Sequence, residues 1–397
     1  MIMFKKDQKM LRLAIFYSVF TLMNVGVYYY FYRKSRSIFK AKRNSLILVT
    51  LFILIQAAPL SLYRLGYVTT SDPFGYGWVF LGYSSLSFFS YFLVSFFIFD
   101  MGTFAFIKIK KESDEISIER RDFIKGIVSK GLFAGSIGAS TTGAIKARQT
   151  PEVKKMSLIS RKKSSSKEET INFVQISDLH AGPTIREHLI KGITEKIKEL
   201  SPDILFLTGD LIDGIPDEKM MNVLKPFRDL EVPYGKYFVS GNHEFYWGLE
   251  RWKKAYLSLG LQDLDNANKV LQIKNKKILL TGIQDRTRRF FGQEKIELED
   301  IIDKAPTDDF NYKIFVNHRP ERYGIAERNG YDLQLSGHTH GGQFFPWNLV
   351  INMIYRYPKG LYDHKRMKIY VNPGTGYWGP PNRLGVPNEV TFFSLKC

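Results

Sequence analysis

The sequence predicts an α/β domain in its second half, preceded by an all-α transmembrane module in its first. Three observations carry this. Before residue 110 the chain holds three long runs without a charged side chain. From Ile171 onward, short apolar runs closed by glycine and polar residues alternate with helical periodicity, the pattern of strands buried on both faces. Five of the seven histidines fall where those apolar runs end.

The uncharged runs are Leu13 to Tyr32, Asn44 to Tyr63 and Pro73 to Phe99. Each reaches the roughly 20 residues a helix needs to cross a hydrocarbon core. Tyr28, Tyr29, Tyr30 and Tyr32 resemble an interfacial aromatic belt. The expected organisation is a three-helix transmembrane module over 1–115 and a catalytic domain over 171–397. Between them, 116–146 reads as a fourth span or a twin-arginine-like export segment (Arg120-Arg121-Asp122-Phe123), and 147–170 as a basic linker. Pro151 to Thr170, with Arg161-Lys162-Lys163, reads as a solvated tether. Lys and Arg crowd the first and third loops, which places both inside, and are absent around Thr69 to Gly77, so if Ile124 to Ile145 spans as a fourth helix the catalytic domain is extracytoplasmic. Lys5, Lys6, Lys9 and the basic residues after Ile145 oppose it.

With 57 Lys+Arg against 39 Asp+Glu, the formal charge is +18, which suits an anionic partner: lipid headgroups, a phosphorylated substrate or nucleic acid. The one cysteine, Cys397, excludes a disulfide framework and a cysteine-rich zinc module.

In the second half, Ile171 to Ser177 runs into Asp178-Leu179-His180, and Asp203 to Thr208 into Gly209-Asp210. Lys236 to Ser240 runs into Gly241-Asn242-His243-Glu244, Tyr312 to Asn317 into His318, and Tyr331 to Ser336 into Gly337-His338-Thr339-His340. Helical patterns over Arg186 to Leu200 and Leu249 to Leu259 complete the α/β reading. In open α/β sheets, chemistry collects beyond the carboxyl ends of strands, where all five clusters lie. Asp178, His180, Asp210, Asn242, His318, His338 and His340 form an oxygen-and-imidazole set without thiolate, suited to Mn, Fe, Zn or Ni. Seven ligands exceed what one catalytic metal uses, and fit two ions sharing a carboxylate about 3.5–4 Å apart. Gly209, Gly241 and Gly337 precede ligands where a Cβ has no room. A lone Asp-x-His or Gly-Asp is more often a turn, but the five clusters together, each after a strand, are not accounted for by turns.

The segment from Ile171 to Cys397 resembles the calcineurin-like metallophosphoesterase superfamily, and within it a bacterial membrane-associated branch carrying Gly-His-Thr-His-Gly-Gly-Gln. The ending Asn372-Pro373-Gly374 through Arg383 to Glu389 is similar too. The resemblance implies a sandwich of two mixed β-sheets flanked by helices. It implies one divalent ion on Asp178, His180, Asp210 and His340, and a second on Asp210, Asn242, His318 and His338. Hydrolysis of a phosphate ester or pyrophosphate bond would follow by attack of metal-bound hydroxide, with His243 as proton donor or phosphoryl partner. Glu244 and Asp213 are either orienting groups or surface carboxylates. Arg383 and Tyr377 either touch phosphate or lie on the surface, and His188 and His364 read as structural or exposed. Phe344 to Tyr355 reads as a core strand and loop or as a wall for an acylated substrate. The expected partners are the lipid bilayer of a bacterial plasma membrane, crossed several times, and a lipid-linked or nucleotide-type phosphoester. A nuclease and a non-catalytic scaffold are the alternatives. The charge clusters beside the apolar spans, so nucleic acid is not the expected partner.

Overall fold

The computed structural model describes residues 22, 25–39, 41–64, 73–109, 118–162, 168–292 and 298–397. Its contacts divide the chain into two units, one of Met1–Thr69 and Leu81–Ser140, the other of Thr70–Phe80 and Thr141–Cys397.

The first unit is helical: α1 (25–38), α2 (Lys42–Arg64), and most of α3 (Pro73–Ile109) and α4 (Ile118–Ala147). Its core is a stack of rings. Phe31 stands edge-on to Phe92 at 4.7 Å, and Phe52 stacks on Phe89 at 5.0 Å. Among the described residues one helix, Pro73–Ala105, is long and apolar enough to cross a membrane, by length and composition. Residues 13–21 of the first expected span lie outside the described residues. The third helix runs past Asp100, whose carboxylate pairs with Lys34 at 2.5 Å and accepts from the Tyr30 hydroxyl at 2.8 Å. The Asp100 charge is thus matched within the helical unit. The twin-arginine-like segment is continuous with the small-residue stretch in α4.

The second unit holds two six-stranded mixed sheets. In the first, β1 (Glu152–Ile159), β12 (Glu389–Lys396), β2 (Thr170–Ile176), β3 (Ile204–Leu207), β4 (Lys236–Phe238) and β5 (Gln262–Asp263) lie in that order. The second runs β10 (Gly360–His364), β11 (Met367–Val371), β9 (Leu333–Ser336), β8 (Tyr312–Asn317), β7 (Lys276–Ile283) and β6 (Ala267–Ile273). The strands that carry ligands are parallel neighbours, β2-β3-β4 and β8-β9, so their carboxyl ends fall on one edge of each sheet.

Alternation along each strand explains the unbroken apolar runs. Ile171 and Phe173 enter the core between the sheets, with Phe206, Leu280, Ile314 and Leu333. Val174 and Ile176 enter the layer under α5 (Glu187–Leu200). Both faces are covered, so the few polar residues inside these strands are buried and hydrogen-bonded, as Gln175 is to Thr208 Oγ1 and Ser336 O at 2.9 Å each. Helix α5 buries Leu189, Ile190, Ile193 and Ile197, one stripe at helical spacing. It ends at Ser201 in the left-handed region, followed by Pro202, which cannot continue a helix.

The expected tether from Pro151 to Thr170 is corrected in part. Glu152–Ile159 is a strand paired in parallel with β12 along its whole length. Lys154 and Lys155 belong to a sheet edge, where basic side chains face water while Leu158 is buried.

Candidate metal centre

Each ligand candidate sits just past a strand end, where the chain turns sharply. Asp178, His180, Asp210, His338 and His340 all have positive φ, between 49° and 73°. A left-handed backbone is uncommon for non-glycine residues, and five in one place mark a locally strained site. The neighbouring loops hold it in place: Asp178 N–H donates to Gly209 O (3.0 Å) and His180 N–H to Asp210 O (3.1 Å), extending the β2-β3 pairing beyond the strands. The glycine expectation holds for close approach. A Cβ at Gly241 would fall on Asp210 Oδ1, and one at Gly337 on Ser177 Oγ.

The structure brings Asp178, His180 and His340 together, and likewise Asp210, His318 and His338. In the first group, His180 Nε2 lies 3.1 Å from His340 Nε2, which is 3.4 Å from Asp178 Oδ1. In the second, His318 Nε2 lies 3.2 Å from both His338 Nδ1 and Asp210 Oδ2. Asp210 Oδ2 is also 3.9 Å from His180 Nε2, so this carboxylate stands between the groups. His318 Nδ1 donates to Thr208 O at 2.7 Å, which fixes the orientation of the ring and turns Nε2 toward Asp210 and His338. Asn242 joins the same side, its Oδ1 held by Arg319 Nη2 at 3.2 Å.

The donor chemistry fits a divalent cation. Ring nitrogens facing one another at 3.1–3.2 Å, with carboxylate oxygens beside them, are the borderline nitrogen-and-oxygen donors that a divalent cation takes. Electrostatics point the same way. Burial by itself would push the His318 imidazole down, yet Asp210, with Asp178 and Asp285, holds it up at about 10. At His243 burial is again outweighed, by Asp210 and Asp213, and the ring is held at about 9. A buried crest of carboxylates strong enough to retain protons also attracts metal ions.

Around the ligands lies a supporting layer that the sequence left open. Glu244 is fully buried and not a surface carboxylate. It accepts from Asp210 N–H (3.1 Å), Leu211 N–H (2.8 Å), Gly241 N–H (2.7 Å) and the Tyr256 hydroxyl (2.9 Å), tying two ligand loops together. Asp213 lies 2.5 Å from His243 Nδ1 and 3.2 Å from His180 Nδ1. Arg383 and Tyr377 are buried, contrary to the surface alternative. Arg383, 1% exposed, donates to Pro373 O at 2.7 Å and stands 3.2 Å from His340 Nδ1, and Tyr377 donates to Thr184 O at 3.1 Å. Burial is possible because carbonyl oxygens absorb the donors.

Arg319 was not singled out from the sequence. Its Nη1 lies 2.6 Å from His338 Nε2 and its Nε donates to Asp285 Oδ2 at 2.8 Å. Its only sequence signal is its place after His318. His188 is exposed on α5, and His364 is buried, 2.8 Å from the Tyr357 hydroxyl. The stretch Phe344 to Tyr355 is no core strand: Trp347–Ile354 is a helix without a buried residue.

Residues 171–342 match the family model of the calcineurin-like phosphoesterases. An uncharacterised metallophosphoesterase of Helicobacter pylori J99 is 28% identical over 303 residues, covering 75% of this chain and 78% of the relative. One from Aquifex aeolicus is 31% identical over 229 residues, covering 57% of this chain and 85% of the relative. A Danio rerio transmembrane protein with a metallophosphoesterase domain is 30% identical over 263 residues, 64% of this chain and 59% of that protein. The family model spans every strand that delivers a ligand, and most of the Aquifex relative's length aligns with this chain. This metal-dependent phosphoesterase therefore belongs to the calcineurin-like metallophosphoesterase superfamily.

Proposed function

We propose that the chain is a membrane-anchored hydrolase that cleaves a phosphate ester or pyrophosphate bond at two divalent ions. The observation that carries this reading is Asp210, whose Oδ2 stands 3.9 Å from His180 Nε2 in one ligand group and 3.2 Å from His318 Nε2 in the other. Asp178, His180, Asp210 and His340 would hold one ion, and Asp210, Asn242, His318 and His338 the other. Bound divalent ions neutralise charge on the phosphoryl oxygens and lower the proton affinity of an attacking water. The chain's own groups do the rest. His318 is oriented by its Nδ1 bond to Thr208 O, and Asp178 by the His338 N–H at 2.9 Å. His243, steered through Nδ1 by Asp213, is placed to donate a proton to the leaving oxygen or a hydrogen bond to the phosphoryl group.

The apolar helix α3 and the name of the Danio rerio relative support a membrane setting, and we read the first unit as a multi-pass anchor in a plasma membrane. The substrate class that suits this setting is a lipid-linked or nucleotide-type phosphoester. The test uses the full chain in detergent with Mn and an aryl phosphodiester, alongside elemental analysis. Two ions per chain and turnover lost in Asp210→Ala are expected. Unchanged turnover in that variant refutes the site.

A further inference from the structure

We infer that the mouth of the metal centre is a docking surface for an anionic lipid bilayer. The helix Trp347–Ile354 turns Leu349, Met353 and Ile354 to water, with Met353 86% exposed, and Phe345 is exposed just before it. A cavity of about 380 Å³ joins this helix to the centre. His338 and His340 line one side of it, and Trp347, Val350, Ile351 and Trp378 line the other. Across the mouth, the short helix Arg286–Phe291 exposes Phe290 (87%) and Phe291. Rings connect the two sides. Phe291 lies 6.2 Å from Tyr246, Tyr246 5.3 Å from His243, and His243 5.9 Å from Trp378, centroid to centroid.

Single exposed apolar residues need no explanation, but a contiguous set encircling a reactive centre does. The charges at this rim select the occupant. Arg289 and Arg356 are exposed beside the aromatic groups. Among the described residues of this rim, Asp285 is matched by Arg319 at 2.8 Å and Glu321 by Arg286 at 2.9 Å, so Arg289 and Arg356 give it its basic character. Aromatic and aliphatic side chains among arginines match the boundary between anionic headgroups and acyl chains. A protein partner would meet the same apolar ring without calling for its basic fringe. Docked in this way, the centre receives a phosphoester at headgroup depth, and the cavity takes the apolar part of the molecule.

Such docking presupposes the hydrolytic site proposed above, but it is read without turnover, so the two fail separately. The full chain, with Cys397→Ser, is given a single cysteine by Met353→Cys, Phe290→Cys or, as a control on the exposed side of α5, Glu195→Cys. Each is labelled with an environment-sensitive fluorophore and reconstituted in vesicles of phosphatidylcholine with or without phosphatidylglycerol. Blue-shifted emission and quenching by acyl-chain spin labels are expected at 353 and 290 and not at 195. Quenching should be at least about twofold stronger with the anionic lipid. Arg289→Glu with Arg356→Glu should remove that difference. Water-like emission at 353 and 290 overturns the proposal. So does a blue shift without lipid quenching, which would mean that protein covers the patch. Quenching indifferent to phosphatidylglycerol overturns the anionic preference.

Discussion

The two ends of the first sheet both bury charge, and they do so in opposite ways. At the amino end of β4, the Lys236 ammonium donates to Phe227 O (2.7 Å), Leu230 O (3.0 Å) and Leu259 O (3.3 Å). Its three protons are all placed, and the group is a rivet. At the carboxyl ends, imidazole nitrogens confront one another at 3.1 Å and three aspartates lie within the same crest. A cavity of about 1020 Å³ lies at the Lys236 end, larger than the one of about 380 Å³ beside His338 and His340, yet the metal-ligating side chains cluster at the other end. Neither burial nor cavity size therefore locates chemistry here. The convergence of carboxylates and imidazoles from separate strand ends does.

That contrast can be broken by mutation. The largest expected effect is Asp210→Ala, which should lower turnover at least about a hundredfold and abolish any thermal stabilisation by Mn. Next, His243→Ala should lower kcat by about a hundredfold while the metal content of the protein is retained, because this ring works on substrate. Loss of metal along with activity would instead make it a ligand. Saturating Mn should then stabilise the wild-type fold by about 2.7 kcal/mol at a hundredfold excess over Kd, read as a rise in Tm. Smallest is Lys236→Met, which should cost about 1–3 kcal/mol by stranding its carbonyl partners, with kcat unchanged in the folded fraction. A Lys236→Met enzyme that folds normally but loses turnover would erase the distinction between the ends.

Much of the centre was legible because physics writes it in short range. A strand buried on both faces is mostly apolar, so the polar cluster past its end stands out, as Asp178 does after Ile176 and His338 after Ser336. Glycines such as Gly241 mark where a loop leaves no room for Cβ. What stayed hidden depends on partners distant in sequence. Lys154 and Lys155 disguise β1, because an edge strand shows its polar face and its pairing partner is more than two hundred residues away. Glu244 and Asp213 looked equivalent, yet one gathers backbone N–H groups and the other holds imidazoles. Arg319 and Arg383 are absorbed by acceptors that no local pattern announces. The apolar stretch after Phe344 is ambiguous in sequence, since the same residues suit a core or a rim.

The strand β1 also decides how this enzyme can be dissected. Severing the chain at Ile171, where the resemblance begins, would strip an eight-residue ladder from β12 and leave a raw edge that invites intermolecular pairing and precipitation. Arg383 N–H and Asn388 Nδ2 would also lose Gly143 O and Ala147 O. A soluble fragment that retains its border must start ahead of Thr141.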